Sequence, residues 1–167
     1  MYLFTIHQNN SGWPRLQQRL WLCVAPMTFC LTDLSMTLLG QTGDYWRGVY
    51  SNVTEVNPIG IALLTFHPLA FLAAGIVWMF HFGLAVTSFP YRLAKVVAMT
   101  VSVGHLAGAF TWIDRNPGDF WGTILFLAGS AVLILWSFEN ADRSWTPDPR
   151  VRTSATHRRI DGPVLFR

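Results

Sequence analysis

The sequence predicts an all-α membrane protein in which about four transmembrane helices form an up-down bundle. Two observations lead to this fold class. Hydrophobic residues make up 51% of the 167 residues, whereas Asp, Glu, Lys and Arg together make up only 13%. Soluble domains carry roughly 25% charged residues. The lower fraction in this chain indicates lipid surroundings, because moving an ion into hydrocarbon costs several kcal/mol. The second observation is that apolar residues gather in stretches long enough to cross the roughly 30 Å hydrocarbon core of a bilayer.

The apolar stretches divide the chain into three segments. We predict an N-terminal cytoplasmic segment, a four-helix transmembrane domain and a basic C-terminal cytoplasmic tail at residues 1–19, 20–138 and 139–167. Within the transmembrane domain, three stretches of about twenty residues each have the length of a single span. The first, third and fourth spans are predicted at residues 20–39, 93–112 and 120–138.

The second apolar region, residues 59–89, is roughly ten residues longer than one perpendicular span requires, and His67-Pro68 interrupts it. Two arrangements are open. The region is either one tilted helix kinked at Pro68, or a short interfacial piece at residues 58–66 followed by a span that begins at Pro68. We favour the second arrangement, because proline is tolerated in the first helical turn, where its missing N–H breaks no hydrogen bond.

The positive charges predict the orientation of the bundle. Ten of the 12 Lys and Arg residues fall before the first span, around the connection between the second and third spans, or after the fourth span. Segments rich in Lys and Arg stay cytoplasmic, so both termini are predicted to be cytoplasmic, in a bacterial inner or intracytoplasmic membrane. Tryptophans near the span ends fit an aromatic belt at the two surfaces of the lipid bilayer. This topology also explains the net charge of +3 without a nucleic-acid partner.

The C-terminal tail has a composition of its own. Residues 139–167 carry six Arg and three Pro residues, with no helical or strand period. Such a segment has too little apolar sequence to form a core alone. Its charge favours contact with anionic lipid headgroups or an acidic partner, and a solvated tail that only sets topology is the alternative.

Asp33 is the most informative residue of the first span. A carboxylate inside a span must be protonated, paired or exposed to a water-filled cavity, so we expect Asp33 to face protein and not lipid. Thr37 lies one helical turn further along the same face. A simple hydrogen bond between helices is the structural interpretation of this stripe. At least one of Thr37, Glu55, Asn57, His67 and His105 is expected to be a polar neighbour of Asp33.

A second polar segment, Glu55-Val56-Asn57-Pro58, precedes the second apolar region, and its Asn-Pro pair is typical of a helix start. With Asp-x-x-x-Thr at residues 33–37 and Glu-x-Asn-Pro at residues 55–58, the chain resembles an uncharacterised family of small polytopic bacterial and archaeal membrane proteins. The resemblance covers roughly the first half of the chain, through the second span. It implies a helical membrane protein and supplies no activity, because the family has no established biochemical role.

Three histidines lie in apolar sequence, and their depth decides which of them meet. If the second span is one long helix, then Asp33, His67 and His105 share a depth of roughly 10 Å with Glu55 above them, which suits a divalent metal or a proton relay. If that span begins at Pro68, then His81 comes within about 10 Å axially of His105. That pair could flank a tetrapyrrole such as haem or a chlorophyll-type pigment. Interhelical hydrogen bonding is the structural alternative for all three histidines.

Motifs for hydrolytic chemistry are missing from the sequence, which contains no His-Glu-x-x-His, no Gly-x-Ser-x-Gly and no Gly-rich phosphate loop. Ser102 and His105 lie one turn apart, as a nucleophile and a base do, but no oxyanion donors accompany them. Cys23 and Cys30 are roughly 10 Å apart along a helix axis, too far for a disulfide. We interpret both cysteines as small buried hydrophobes.

The leading functional hypothesis is a non-catalytic accessory or scaffold subunit of a larger membrane assembly. The chain is small, has about four spans and a basic tail, and shows no complete catalytic set. The two alternatives are a tetrapyrrole- or metal-binding membrane protein that uses intramembrane His and Asp, and a small intramembrane enzyme or transporter. Small residues would allow close packing against other membrane protein subunits. They are Gly75, Ala85, Ala94, Ala98, Gly104, Gly108, Gly122, Ala128 and Gly129.

Overall fold

A computed structural model describes residues 12–113 and 120–144, with side chains from residue 16 onward. The described residues form six α-helices and no strand. Predictions that concern the start of the chain, the connection at residues 114–119 and most of the basic tail lie outside the described residues. The helices are α1 Gly12–Leu39, α2 Gly43–Trp46, α3 Pro58–Phe66, α4 Pro68–Ser88, α5 Tyr91–Ile113 and α6 Phe120–Arg143.

Four of these helices, α1, α4, α5 and α6, are long and apolar enough to cross a membrane. The predicted all-α polytopic bundle is therefore confirmed. The predicted spans differ from the helices mainly at the basic ends, since α1 begins at residue 12 and α6 continues to residue 143. Hydropathy marks where the apolar sequence stops, whereas backbone hydrogen bonding carries a helix into the polar interface.

The chain breaks between α3 and α4, as the favoured arrangement predicted. His67 is extended, with φ −175° and ψ 142°, and Pro68 opens the first turn of α4. The Nδ1 atom of His67 accepts a hydrogen bond of 3.1 Å from the Leu69 N–H, so the imidazole caps the new helix. The long apolar region thus folds as a helix of nine residues followed by a span of 21.

A hydrogen bond from the connection that precedes it anchors the short helix α3. The Tyr45 hydroxyl is fully buried and donates a hydrogen bond of 3.0 Å to the Leu64 carbonyl. Burial first, and the neighbouring Tyr50 second, raises the pKa of Tyr45 above its ordinary value. The phenol therefore stays protonated and keeps its role as donor over the physiological pH range.

Helix α1 is the centre of the bundle. It packs against α4, α5 and α6, and α5 also contacts α4 and α6, whereas α4 and α6 share no contact within the described residues. In α1, 44% of the apolar window is buried, compared with 11–17% in the other three spans. Most of the surface of the other three spans is therefore not covered by the described residues of this chain. The main buried cluster lies near one end of the bundle and comprises Leu22, Phe82, Val86, Ala94, Ala98 and Ala141.

Polar contacts show which helix ends lie together. Arg19 near the start of α1 donates to the Val86 carbonyl near the end of α4. Lys95 near the start of α5 forms an ion pair of 2.9 Å with Asp142 near the end of α6. These contacts define the basic end of the bundle, which contains Arg19, Arg92, Lys95 and Arg143. The opposite end carries the connection at residues 40–57, and we call it the loop end.

Candidate functional site

The centre of the candidate site is a contact between α1 and α5. Asp33 Oδ2 lies 2.9 Å from His105 Nδ1, and both side chains are partly buried. The prediction that Asp33 faces protein and meets His105 is confirmed. Gly108, one turn beyond His105, makes this approach possible, because a Cβ there would lie 2.7 Å from both Asp33 carboxylate oxygens. The absence of a side chain at Gly108 therefore positions the carboxylate.

A third side chain completes this contact from α4. The Trp78 indole N–H donates a hydrogen bond of 3.2 Å to His105 Nε2. A protonated imidazole would place an N–H against that N–H, so the geometry assigns a neutral His105 with its proton on Nδ1. Asp33 Oδ2 then accepts the last hydrogen bond of this series. Three spans thus meet in one directed series of hydrogen bonds, from indole to imidazole to carboxylate.

A cavity of about 350 Å³ opens beside the Asp33–His105 pair, toward the loop end of the bundle. We call it the polar cavity. Both carboxylates of the site, Asp33 and Glu55, line it, and no Lys or Arg does so among the described residues. Its other lining residues are Leu34, Thr37, Val56, Asn57, Gly60, Phe71, His105, Ala107, Gly108, Thr111 and Trp112.

The Glu-x-Asn-Pro segment builds the rim of this cavity. Glu55 Oε1 accepts hydrogen bonds from the Val56 and Asn57 N–H groups at 2.7 and 2.8 Å. Asn57 Oδ1 in turn accepts from the Ile59 N–H at 3.0 Å and caps α3. A Cβ at Gly60 would lie 2.8 Å from Glu55 Cγ, so the Glu55 side chain folds directly onto the first turn of α3. Both polar motifs of the sequence therefore face the same cavity.

A second cavity, of about 400 Å³, adjoins the polar cavity and has mostly apolar walls. We call it the apolar cavity. Cys30, which is 2% exposed, is a wall residue of this cavity. The remaining walls are Leu34, Asn57, Ile59, Gly60, Leu63, Phe71, Ala74, Gly75, Trp78 and His105. His105 is thus shared by the two cavities.

The four predicted metal ligands are only partly brought together. Asp33, Glu55 and His105 line the polar cavity, whereas His67 lies at the α3–α4 junction, with its ring 5.2 Å from the Tyr50 ring. Within the part of the chain that the structure describes, no three His, Cys, Asp or Glu side chains are grouped to hold a metal ion. His105 forms a hydrogen-bonded pair with Asp33 and is not one of several side chains directed at a common metal position.

Both histidines of the predicted tetrapyrrole pair, His81 and His105, already have hydrogen-bond partners in the structure. His81 is exposed on α4, and its Nδ1 lies 2.8 Å from the Val77 carbonyl oxygen of its own helix. Both ring nitrogens of His105 are engaged, one by Asp33 and the other by Trp78. An axial bond from His105 to a haem iron or a chlorophyll magnesium would require one of those partners to leave.

The Ser102–His105 pair does not form a nucleophile and base. The Ser102 hydroxyl is fully buried and donates a hydrogen bond of 2.8 Å to the Ala98 carbonyl of its own helix. Such a bond satisfies a hydroxyl inside a membrane helix without any partner helix. Ser102 therefore belongs to the packing between helices and not to the site.

Two residues of the site, Trp78 and Cys30, were missed by the sequence analysis. Trp78 is the tryptophan that does not fit an aromatic belt, because it lies in the middle of a span and not near an end. Cys30 stands three residues before Asp33, a spacing that places both side chains on one helix face. The mid-span position of Trp78 and the spacing of Cys30 from Asp33 were the sequence signals from which these two residues could have been predicted.

Comparison with protein-family models, with curated proteins and with solved structures found no match to this chain.

Proposed function

We propose that this chain is a small intramembrane enzyme or transporter that binds a small cationic molecule in the polar cavity in exchange for a proton on the Asp33–His105 pair. The observation that carries this proposal is the hydrogen-bonded pair itself, at 2.9 Å, on the wall of a cavity inside an apolar bundle. An intramembrane carboxylate with a defined partner is a functional hypothesis by default.

The charge of the cavity supports a cationic ligand. Asp33 and Glu55 both line it, and no described Lys or Arg side chain among its walls balances them. A carboxylate in a partly desolvated site favours a proton, a metal cation or an organic cation. The described residues lack a grouped set of metal ligands, which favours an organic cation or a proton over a metal ion.

The size of the cavity supports a small ligand. Its volume of about 350 Å³ lies near the lower end of the range for small-molecule sites, which is roughly 300–1,000 Å³. Thr37 and Thr111 add hydroxyl groups to the walls, although the Thr111 hydroxyl also donates to the Gly108 carbonyl. A compact ammonium or guanidinium compound would fit inside the site and could hydrogen-bond to its oxygens.

The order of the hydrogen bonds supports proton exchange. His105 donates its Nδ1 proton to Asp33, so a proton that reaches Asp33 from the polar cavity neutralises the pair. A cation bound beside the carboxylate would compete with that proton. Binding of an organic cation is therefore expected to release the proton from those molecules in which Asp33 carries one.

The test is binding of methylammonium and guanidinium to the full-length protein in lipid nanodiscs. At 100 times its dissociation constant, a ligand that binds only the folded state stabilises it by about 2.7 kcal/mol. At least one of the two probes is expected to raise the midpoint of thermal unfolding and to release protons into unbuffered solution. Asp33→Asn is expected to abolish both effects.

The matched control is Asp44→Asn, which removes an exposed carboxylate at the loop end that pairs with Arg47 outside the cavity. This variant is expected to bind the probes like the wild type. If Asp33→Asn and the wild type respond equally to both probes, or if neither probe affects the wild type, then the proposal is wrong.

The accessory-subunit hypothesis remains a second proposal, and one surface favours it. On α1, Thr28, Leu31 and Ser35 are exposed on the side that α4, α5 and α6 leave uncovered. Hydroxyl side chains at lipid-facing positions are typical of contacts between transmembrane helices. The proposal predicts that Leu31→Trp shifts the mass of the complex purified in mild detergent, whereas Leu135→Trp on the exposed face of α6 leaves it unchanged.

A further inference from the structure

We infer that the apolar cavity holds the hydrocarbon tail of the cation whose head group lies in the polar cavity, so the ligand is an amphipathic amine with a short alkyl chain. This inference rests on the proposed function, because the head group is the cation of that proposal. It adds a substrate class, since a compact cation without a tail uses only one of the two cavities.

The two cavities meet along a shared wall. Five residues line both of them, and they come from α1, α4, α5 and the start of α3. They are Leu34, Asn57, Gly60, Phe71 and His105. A ligand that is longer than the polar cavity therefore extends across these residues into the apolar cavity.

Charged and apolar walls are divided between the two cavities. Asp33 and Glu55 line only the polar cavity, and among the described residues no Asp, Glu, Lys or Arg lines the apolar cavity. The Trp78 indole N–H belongs to the apolar walls, but it is already donated to His105 Nε2 at 3.2 Å. A cation has no carboxylate partner there, and a water molecule needs several polar partners. The apolar cavity therefore favours hydrocarbon.

Both carboxylates lie beside residues of the shared wall. Asp33 Oδ2 is 2.9 Å from His105 Nδ1, and a Cβ at Gly60 would be 2.8 Å from Glu55 Cγ. An ammonium group that contacts either carboxylate therefore lies near the border of the two cavities. An alkyl substituent that avoids both carboxylates then enters the apolar cavity, whose described walls carry no charge.

The volumes limit the size of the ligand. The polar cavity holds about 350 Å³ and the apolar cavity about 400 Å³. Each is near the lower end of the roughly 300–1,000 Å³ of small-molecule sites, so a small head group and a short unbranched chain fit them. A charged group at the far end of the chain would be buried beside Leu63 and Ala74, which is costly. The ligand class is therefore an alkylammonium with one charged end.

The experiment compares methylammonium with hexylammonium on the full-length protein in lipid nanodiscs. The rise of the midpoint of thermal unfolding with ligand concentration gives an apparent dissociation constant for each probe. Hexylammonium is expected to bind about tenfold more tightly or better, because each methylene group that leaves water contributes about fourfold. Any response that remains in Asp33→Asn measures hexylammonium dissolved in the nanodisc lipid and is subtracted.

Two variants locate the tail. Ala74→Phe fills the apolar cavity, and Ala73→Phe is the matched control, because Ala73 is exposed on α4 and is not among the described walls of either cavity. Ala74→Phe is expected to bind hexylammonium no more tightly than methylammonium. Its retained methylammonium binding would show that it folds. Ala73→Phe is expected to keep the full preference for hexylammonium.

Equal affinity of the wild type for the two probes would overturn the inference, whether or not Ala74→Phe folds. A bilayer lipid chain already seated in the apolar cavity would give that result. A preference for hexylammonium that persists unchanged in Ala74→Phe would also overturn it, because the tail would then bind elsewhere. In both cases, retained methylammonium binding by the wild type would leave the proposed function standing.

Discussion

At the scale of the residue, Gly108 shows how little atomic space separates α1 from α5 at the site. The carboxylate oxygens of Asp33 lie only 2.7 Å from the position that the Cβ of any other residue at 108 would take. Gly104, one turn earlier on α5, has open space around the same position. The two glycines therefore have different roles in one helix, and only Gly108 is required for the contact between Asp33 and His105.

Gly108→Ala is expected to destabilise the protein by about 1–3 kcal/mol, the usual cost of overpacking, and to weaken cation binding because Asp33 must move. The control, Gly104→Ala, is expected to change stability by less than about 1 kcal/mol in either direction. Unfolding in mixed micelles with increasing denaturing detergent measures both free energies. Equal behaviour of the two variants would contradict the close approach at Gly108.

The tautomer of His105 is a second prediction at this scale. Because Trp78 donates to Nε2, the ¹⁵N spectrum of the wild-type side chain is expected to show a protonated Nδ1 and an unprotonated Nε2. Trp78→Phe removes that donor and is expected to produce a mixture of tautomers. Histidine-labelled protein in nanodiscs supplies the measurement, and a wild-type ring protonated mainly on Nε2 would contradict the assigned hydrogen bonds.

At the scale of the element, the junction between α3 and α4 explains why a histidine, His67, occurs inside apolar sequence. His67 ends one helix and caps the next, since its Nδ1 accepts the Leu69 N–H. The preceding Asn57 does the same for α3 through the Ile59 N–H. Both caps precede a proline, so each helix begins with a residue that needs no hydrogen bond for its own nitrogen.

His67→Ala is expected to cost about 1 kcal/mol of stability, because the first turn of α4 loses its side-chain cap. His67→Asn is the matched control, since Asn is among the preferred N-cap residues and is expected to retain most of the stability. Neither variant should change methylammonium or guanidinium binding, because His67 is not among the described walls of either cavity. A loss of cation binding in His67→Asn would instead place His67 in the site.

The sequence predicted most of the helices because hydrophobic length and proline chemistry are local properties. The break at Pro68 followed from its missing N–H, and the intramembrane charge of Asp33 predicted a protein-facing side chain. The rotation of each helix about its axis is not local, since packing against neighbours sets it. For that reason His81 faces outward while Trp78, three residues earlier, contacts His105. Except at Asp33, whose charge predicted its direction, the sequence did not predict which way these side chains face.

At the scale of the whole molecule, the bundle separates its charges between two ends. The basic end carries Arg19, Arg92, Lys95 and Arg143, and two of these side chains hold neighbouring helices together. At the loop end, Arg47 is paired with Asp44, and Glu55 faces the polar cavity. The described part of the chain therefore enters at α1 and leaves at α6 from the same, basic end.

The last prediction is that the basic end faces the cytoplasm and the loop end with its polar cavity faces the opposite side, because Lys- and Arg-rich segments are retained inside. Ser51→Cys at the loop end and Ser88→Cys at the basic end form a matched pair of exposed positions. In a chain whose native cysteines are replaced by serine, a membrane-impermeant maleimide added to intact cells is expected to label only the first variant. Permeabilised cells should label both, which shows that Ser88→Cys is reactive. If intact cells label only Ser88→Cys, the bundle has the reverse orientation, and the polar cavity then takes its ligand from the cytoplasm.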